Sequence, residues 1–227
     1  MPRKRIAKII DQAEQKLKLL KELGISELPR EKVDPVFRKK YQALERLRKE
    51  MSDCQRCELG KTRTCIVFGE GDPNAEVMFV GEAPGAEEDL SGRPFVGAAG
   101  RILTDIIELG MKIPRREVFI GNVVKCRPPE NRDPDPEEVK ECRGFLERQI
   151  EIIRPRVIVA LGKHAAHLLM GSGEPISRLR GKWGEFQGLP VMPTYHPAYL
   201  LYNNSGKREV WTDIKQVIQY LEKENLE

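Results

Sequence analysis

The spacing of apolar positions divides the chain into a helical N-terminal part and a longer part in which strands and helices alternate. Over residues 6–23 and again over 36–51, apolar side chains recur every three or four residues, which predicts two amphipathic helices joined by a proline-bounded linker. From Ile66 onward, short apolar runs alternate with helical patterns. The helical patterns lie near residues 99–110, 135–153, 163–170 and 207–224.

The short apolar runs predict the strands of one sheet. They cover residues 77–80, 118–120, 157–161 and 191–192. Continuous apolar strands that alternate with helices are typical of a mostly parallel sheet covered on both faces. Ligands of such sheets bind beyond the carboxyl ends of the strands, so the residues that follow each run are candidates for a site. These are residues 81–89, 121–122, 162–163 and 194–197.

The length of 227 residues suits one α/β domain with an appendage, and we expect a basic helical extension over 1–50 before a domain over 51–227. Residues 1–50 carry 15 Lys and Arg against 8 Asp and Glu, which fits either a polyanion partner or a solvated helical face. No apolar run approaches the roughly 18 residues of a membrane span, and no secretory leader follows the basic start. We therefore expect a cytoplasmic protein without membrane contact, and its abundance of Lys, Arg and Glu resembles thermophile composition.

The cysteines are candidates for metal ligands, because disulfides are rare in the cytoplasm. Cys54 and Cys57 are two residues apart, a spacing that lets both sulfurs face one metal. Cys126 and Cys142, each followed by arginine, would complete four thiolates. Zinc and a 4Fe–4S cluster both accept four cysteines, so the spacing leaves the metal open. Cys65 precedes an apolar run, which favours a buried free thiol.

Two side chains at predicted strand ends and one in a loop suit recognition of a nucleobase. Asn122 offers a donor and an acceptor side by side, which complements the O4 and N3–H edge of uracil. His196 can donate to a developing oxyanion, and Phe95, held between proline and glycine, can stack on a base. Each of these residues alone also has a structural interpretation, but their occurrence together favours one pocket.

A basic loop over residues 177–183 brings three cations and Trp183 together, which suits contact with phosphates or, alternatively, a solvated turn. The cations are Arg178, Arg180 and Lys182.

The motifs together resemble the iron–sulfur uracil-DNA glycosylases of thermophilic archaea and bacteria, often called family four. They are Cys-x-x-Cys, Gly-Glu-Ala-Pro-Gly-x-x-Glu-Asp, Gly-Arg-Pro-Phe-Val-Gly, Asn-x-Val-Lys-Cys-Arg-Pro-Pro, Arg-Gly-Lys-Trp and His-Pro-Ala-Tyr-Leu-Leu, within about residues 52–222. The resemblance implies a three-layer α/β/α fold with a central, mostly parallel four-stranded sheet. It also implies a 4Fe–4S cluster on the four cysteines and hydrolytic release of uracil from DNA, which leaves an abasic site for base excision repair.

The resemblance assigns roles to individual residues. It puts the uracil pocket on the backbone of Gly81, Glu82 and Ala83, with Phe95 as the stacking ring and Glu88 against C5, where it would exclude the methyl group of thymine. The expected catalytic residues are Glu82, Asn122 and His196. The expected DNA contacts are Arg127, Arg178, Arg180, Gly181 and Lys182.

The chain departs from related glycosylases at two places. Ala83 stands where the non-metal enzymes have an aspartate, so we expect this chain to rely on stabilisation of the leaving group, with Glu82 nearby. Residues 127–133 contain no histidine of the kind with which a related iron–sulfur group traps its substrate covalently, so we expect release of free uracil. The cluster is expected to be structural, ordering Arg127, Arg132 and Arg143 for phosphate contact.

Uracil-containing DNA, single- or double-stranded, is the expected partner of a monomer that associates with the nucleoid of a prokaryote. A contact with a replication clamp stays open, as does the role of residues 1–50, which could pack on the core or form a DNA-binding arm. Two other functions also stay open. One is a zinc-bound or redox-sensing nucleic-acid-binding module without catalysis, and the other is excision of hypoxanthine or a mismatched base.

Overall fold

A computed structural model describes Lys18 and residues 34–224 of the chain. Residues from Pro35 onward belong to one compact unit. Apart from Lys18, the helix predicted over residues 6–23 lies outside the described residues.

The four predicted strands form the parallel centre of a sheet, and two short antiparallel strands extend it at the edges. The strand order is β1-β3-β2-β4-β6-β5. The strands are β1 (Glu70–Gly71), β2 (Val77–Gly81), β3 (Phe119–Asn122), β4 (Val157–Leu161), β5 (Gly184–Phe186) and β6 (Leu189–Thr194). The two edge strands are too short to give an apolar run, which is why the sequence did not predict them.

Helices cover both faces of the sheet and follow the predicted helical patterns within a few residues. They are α1 (Pro35–Met51), α2 (Leu59–Thr62), α3 (Ala86–Ser91), α4 (Ala98–Asp105), α5 (Pro136–Ile153), α6 (Lys163–Met170), α7 (Ile176–Leu179), α8 (Tyr199–Tyr202) and α9 (Gly206–Glu224). A π-helical turn, Ile106–Met111, continues α4, and 3₁₀ turns cover Arg115–Glu117 and Pro129–Asn131. None of the helices in this part of the chain combines the length and apolarity needed to cross a bilayer.

The alternation of side chains on β2 separates the two halves of the core. Val77 and Phe79 pack with α4, the π-helical turn and α9, whereas Met78 and Val80 pack with α1, α5 and α6. All four side chains are buried, because helices cover both faces of a parallel sheet. Each such side chain stabilises the fold by about 1.5–3 kcal/mol through removal of apolar surface from water. The result is the three-layer α/β/α fold that the resemblance implied.

Helix α1 belongs to these layers, although it lies within the predicted N-terminal extension. Its buried Leu47 and Met51 join the core beside α5, and Lys40 Nζ donates to the carbonyl of Ile153 at 2.7 Å. Val36 and Tyr41, predicted on the same packing face, are half exposed instead. A separate role for residues 1–50 stays a prediction.

Candidate active site and cysteine cavity

A cavity of about 320 Å³ opens beyond the carboxyl ends of β2 and β3, beside the loop that follows β6. This volume lies at the lower end of the range found for small-molecule sites, about 300–1,000 Å³. Six residues that the sequence assigned to a uracil pocket line it, namely Glu82, Ala83, Glu88, Phe95, Asn122 and His196. Gly81, the seventh, ends β2 directly behind them. The structure therefore brings together the whole predicted pocket, while the roles of the individual residues stay predictions.

Asn122 ends β3 opposite Gly81 in the register of the parallel pair and is almost wholly buried. Among the described residues, its Oδ1 atom has no hydrogen-bond partner, which is unusual for a buried amide. A Cβ atom at Gly81 would lie 2.4 Å from this oxygen and 2.5 Å from Cζ of Phe95. Glycine is thus required at position 81, because the amide and the ring occupy the space in front of it.

The loop that carries Phe95 is held by Glu88. The Glu88 carboxylate accepts hydrogen bonds from Val96 N at 2.9 Å, Gly97 N at 3.0 Å and Gly85 N at 3.1 Å. Phe95 itself has a left-handed backbone, with φ of 51°, and its ring lies 5.6 Å from that of His196. Both carboxylate oxygens of Glu88 are therefore used to shape the pocket wall.

His196 is a neutral donor in this arrangement. Its Nδ1 atom accepts a hydrogen bond from Ala198 N at 3.2 Å, which assigns the ring proton to Nε2. Burial lowers the pKa of His196 to about 4, so the ring is uncharged near neutral pH. Gly162, with φ of 88°, lies behind the ring, where its Cβ position would be 3.0 Å from the His196 Cβ.

A group of charged side chains to which the sequence assigned no catalytic role adjoins Glu82. His164 Nε2 lies 3.7 Å from Glu82 Oε2 and 2.9 Å from Asp133 Oδ2. Lys163 Nζ donates to the same Asp133 oxygen at 2.9 Å. Burial raises the pKa of Glu82, whereas Lys163 and His164 lower that of Asp133. The sequence indicated this region only because residues 162–163 follow a predicted strand.

The four candidate metal ligands line a second cavity, together with Arg56 and Arg63. Cys54 and Cys57 lie in the segment between α1 and α2, Cys126 follows β3 and Cys142 lies on α5. Within residues 34–224, no three of their sulfurs come within 4.8 Å of one another. Cys65 lies outside the lining of this cavity and is half-buried, whereas the sequence predicted a buried thiol.

The electrostatics of this second cavity oppose free thiolates. Burial raises the pKa of the Cys57 and Cys126 thiols and raises that of Cys142 to about 11. Arg63 Nη1 lies 3.5 Å from Cys126 Sγ, and Lys125 N donates to Cys142 Sγ at 3.3 Å. The site therefore offers donors to sulfur, while burial favours the protonated thiols of Cys57, Cys126 and Cys142.

The predicted DNA contacts divide into exposed and engaged side chains. Arg178 and Lys182 are exposed, and Arg127 Nε donates to Asn131 at the cavity rim at 2.8 Å. The Arg180 guanidinium instead forms an ion pair with the buried carboxylate of Asp213. The neighbouring Gly181 accepts a hydrogen bond from Gln216 through its carbonyl.

Asp213 also accepts from Thr194 Oγ1, at the end of β6 and just before His196, at 2.6 Å. Through Asp213, Arg180 is therefore placed to stabilise the end of β6, two residues before His196.

Residues 68–215 match the family model described as the uracil DNA glycosylase superfamily, and the chain belongs to that superfamily. The chain is 47% identical over 183 residues to the type-4 uracil-DNA glycosylase of Sulfurisphaera tokodaii, which covers 77% of this chain and 83% of that protein. It is 45% identical to the type-4 enzyme of Archaeoglobus fulgidus, over 78% of this chain and 92% of that protein. It is 46% identical to the type-4 enzyme of Thermotoga maritima, over 80% of this chain and 96% of that protein. Within the superfamily, the chain belongs to the type-4 uracil-DNA glycosylases.

Proposed function

We propose that the cavity beyond β2 and β3 binds a uracil extruded from DNA and that the protein hydrolyses its N-glycosidic bond, releasing free uracil and leaving an abasic site. The protein is a uracil-DNA glycosylase, a hydrolase of N-glycosyl bonds, and its place is in DNA repair. The observation that carries the assignment of the pocket is the buried Asn122 amide oxygen, which has no partner among residues 34–224 and awaits one from a ligand.

Recognition of the base follows from this amide and the ring beside it. The Asn122 oxygen would accept from uracil N3–H and its nitrogen would donate to O4, while Phe95 stacks on the base. Cytosine carries no hydrogen at N3, so it would leave the buried oxygen unsatisfied, at a cost of about 1–3 kcal/mol. Extrusion of the nucleotide costs a few kcal/mol, least where the base is mismatched or unpaired.

Departure of uracil as an anion is the step that His196 would assist. Its Nε2–H would donate to uracil O2 as negative charge develops there. Because burial keeps the ring neutral, the donor does not depend on protonation of the histidine near neutral pH. One such preorganised donor is worth about 10²–10³-fold in rate.

The remaining pocket residues would exclude other bases and supply water. Glu88 lines the cavity with its carboxylate fixed by backbone N–H groups, and we assign it the exclusion of the thymine methyl group. Ala83 carries no acid, so Glu82 is the carboxylate that we assign to the attacking water.

We also propose that Cys54, Cys57, Cys126 and Cys142 hold a 4Fe–4S cluster. The residues fit this group, because all four cysteines line one cavity and four thiolates are the ligand set of such a cluster. Bound there, the cluster would supply four iron–thiolate bonds that cross-link the segment after α1, the end of β3 and α5. Purified protein should then be brown, whereas a colourless zinc protein would contradict this part of the proposal.

The finer statements about partners are proposals of the same kind. We propose that a monomer acts on single- or double-stranded DNA in the cytoplasm, contacting phosphates through Arg127, Arg178 and Lys182. A contact with a replication clamp stays a prediction. Sedimentation of the free protein tests the oligomeric state.

The decisive experiment measures free uracil released from oligonucleotides that contain single-stranded U, U·G or U·A, with hypoxanthine-containing oligonucleotides alongside. We expect uracil release from the uracil substrates and little release from the others. Tight binding of DNA without release of any base would instead favour the binding-module interpretation. Preferential release of hypoxanthine would favour the related specificity.

A further inference from the structure

Glu82, Asp133 and His164 converge at the rim of the cavity beyond β2 and β3, called the uracil cavity below because we propose that it binds uracil. One ligand atom of each lies within 4.8 Å of the others. They come from separate places in the chain: Glu82 follows β2, Asp133 precedes α5 and His164 lies in the first turn of α6. Of the three, Glu82 lines the cavity itself. The cluster therefore connects the cavity to a histidine outside it.

The ring of His164 is placed between the two carboxylates. Its Nε2 atom is buried and lies 2.9 Å from Asp133 and 3.7 Å from Glu82. The contact with Asp133 is short but falls outside hydrogen-bond geometry, so among the described residues this nitrogen has no aligned partner. Lys163 Nζ donates to the same Asp133 oxygen, Oδ2, at 2.9 Å. A ring nitrogen in this position can serve Glu82 as well as Asp133.

The chemistry of excision gives such a histidine a task. Water must add to C1′ of the sugar, and Ala83 cannot orient it. Of the two acidic residues that line the cavity, Glu88 has both oxygens bonded to backbone N–H groups. The Glu82 carboxylate instead faces His164, whose Nε2 atom lies 3.7 Å from Glu82 Oε2. Glu82 is thus the available base, and His164 is the group that can hold it.

We propose that His164, which lies 2.9 Å from Asp133, is a positioning residue that keeps the Glu82 carboxylate oriented and ionised at the cavity rim for attack of water on the sugar. This inference rests on the proposed function. In the step, the bond between C1′ and uracil N1 breaks and uracil leaves with the electron pair. A water oxygen then bonds to C1′, and the proton that it loses passes to Glu82.

The proposal makes the pH dependence of excision informative. The groups that face Glu82 are His164 and Lys163, which favour its ionised form, and Asp133, which together with burial favours the protonated form. Removal of His164 should therefore raise the pKa of Glu82 and move the acidic limb of the rate profile to higher pH. His196 does not set this limb above pH 5, because its pKa is lowered to about 4.

The test is a double-variant cycle in single-turnover excision with enzyme in excess over a U·G substrate, from pH 5 to pH 9. We expect Glu82→Gln to slow excision by about 10²-fold, as is typical for loss of a general base. His164→Gln should slow excision more at pH 6 than at pH 9 and shift the acidic limb upward, because loss of His164 raises the pKa of Glu82. The double variant should be no slower than Glu82→Gln alone.

Controls separate positioning from folding. His167→Gln lies one turn further along α6, where the His167 ring contacts the Glu174 carbonyl, and should excise at the wild-type rate. Asp133→Asn keeps the His164 ring but removes a negative charge that favours protonated Glu82, so it should move the acidic limb to lower pH, opposite to His164→Gln. The dissociation constant for DNA and the melting temperature should change little in each variant.

The proposal would be overturned if the rate losses of the two single variants multiplied in the double variant. It would also be overturned if the acidic limb of His164→Gln did not move, or if that variant lost only DNA affinity. A wild-type rate for His164→Gln would overturn it while leaving the proposed function intact. Failure of the wild-type protein to release uracil would instead overturn the proposed function.

Discussion

The two cavities of this protein differ in the polar groups that line them and in how burial affects those groups. In the uracil cavity, the Asn122 oxygen is buried without a partner among the described residues, and His196 is held neutral with its proton directed by a backbone amide. In the cysteine cavity, the buried thiols have raised pKa values beside Arg56 and Arg63. The first cavity therefore presents an acceptor unpaired within the described residues, whereas burial in the second opposes ionisation of Cys126 and Cys142 despite the cations nearby.

We infer from this difference that the first cavity serves catalysis and the second serves the stability of the fold. The uracil cavity is formed by strand ends whose register is set by the sheet, so its polar groups stay in place before the substrate binds. The cysteine cavity joins segments distant in the sequence, and a metal there would bind together with loss of the thiol protons. We therefore expect changes in the first cavity to alter excision, and changes in the second to alter folding.

The largest expected effect is that of Asn122→Ala. Loss of the amide should lower the single-turnover rate of uracil excision by about 10²–10³-fold, the usual effect of removing one preorganised polar group. The visible absorbance and the melting temperature should stay as in the wild type, because the cysteine cavity is untouched. Excision at the normal rate would show that the pocket is assigned wrongly.

Cys126→Ala should act in the opposite way, through folding and the surface that binds DNA. Loss of about 3 kcal/mol from a metal cross-link would lower the melting temperature by about 6–12 °C for a chain of this size. Cys65→Ala is the matched control and should keep both the colour and the melting temperature. An unchanged absorbance spectrum of the Cys126 variant would remove this residue from the ligand set.

Gly81→Ala sharpens the first cavity without deleting a polar group. The new Cβ atom would lie 2.4 Å from Asn122 Oδ1, so the amide or the Phe95 ring must shift. Displacement of this kind costs about 10-fold to 10²-fold in rate, which we would measure together with inhibition by free uracil. Gly173→Ala is the control, because no atom lies within 4 Å of its Cβ position. Equal rates for both variants would contradict the packing of Gly81 against the pocket.

The smallest effect concerns the basic loop. Lys182→Ala should lower the slope of log affinity for DNA against log salt by about 0.9, the contribution of one phosphate contact. Arg116→Ala, a similarly exposed cation, should leave that slope unchanged. Arg180→Ala should instead lower the melting temperature, because it leaves Asp213 buried without its ion pair. A salt response that does not depend on Lys182 would remove it from the DNA surface.

Much of this protein could be predicted from the chain alone. Continuous apolar runs identify the four parallel strands, because a strand covered on both faces needs apolar side chains at every position. The residues that follow those runs include Asn122 and His196, since the carboxyl ends of parallel strands meet at one edge of a sheet. The motifs also indicated the family, which the comparisons confirm.

Only the tertiary structure determined which charged side chains from distant parts of the sequence lie next to each other. Nothing in the local pattern pairs Arg180 with Asp213, or places His164 between Glu82 and Asp133. Periodicity records which face of an element is buried, whereas an ion pair depends on the distance and orientation between elements. For the same reason, the spacing of four cysteines indicated a metal centre, but only the folded chain set the separation of their sulfurs.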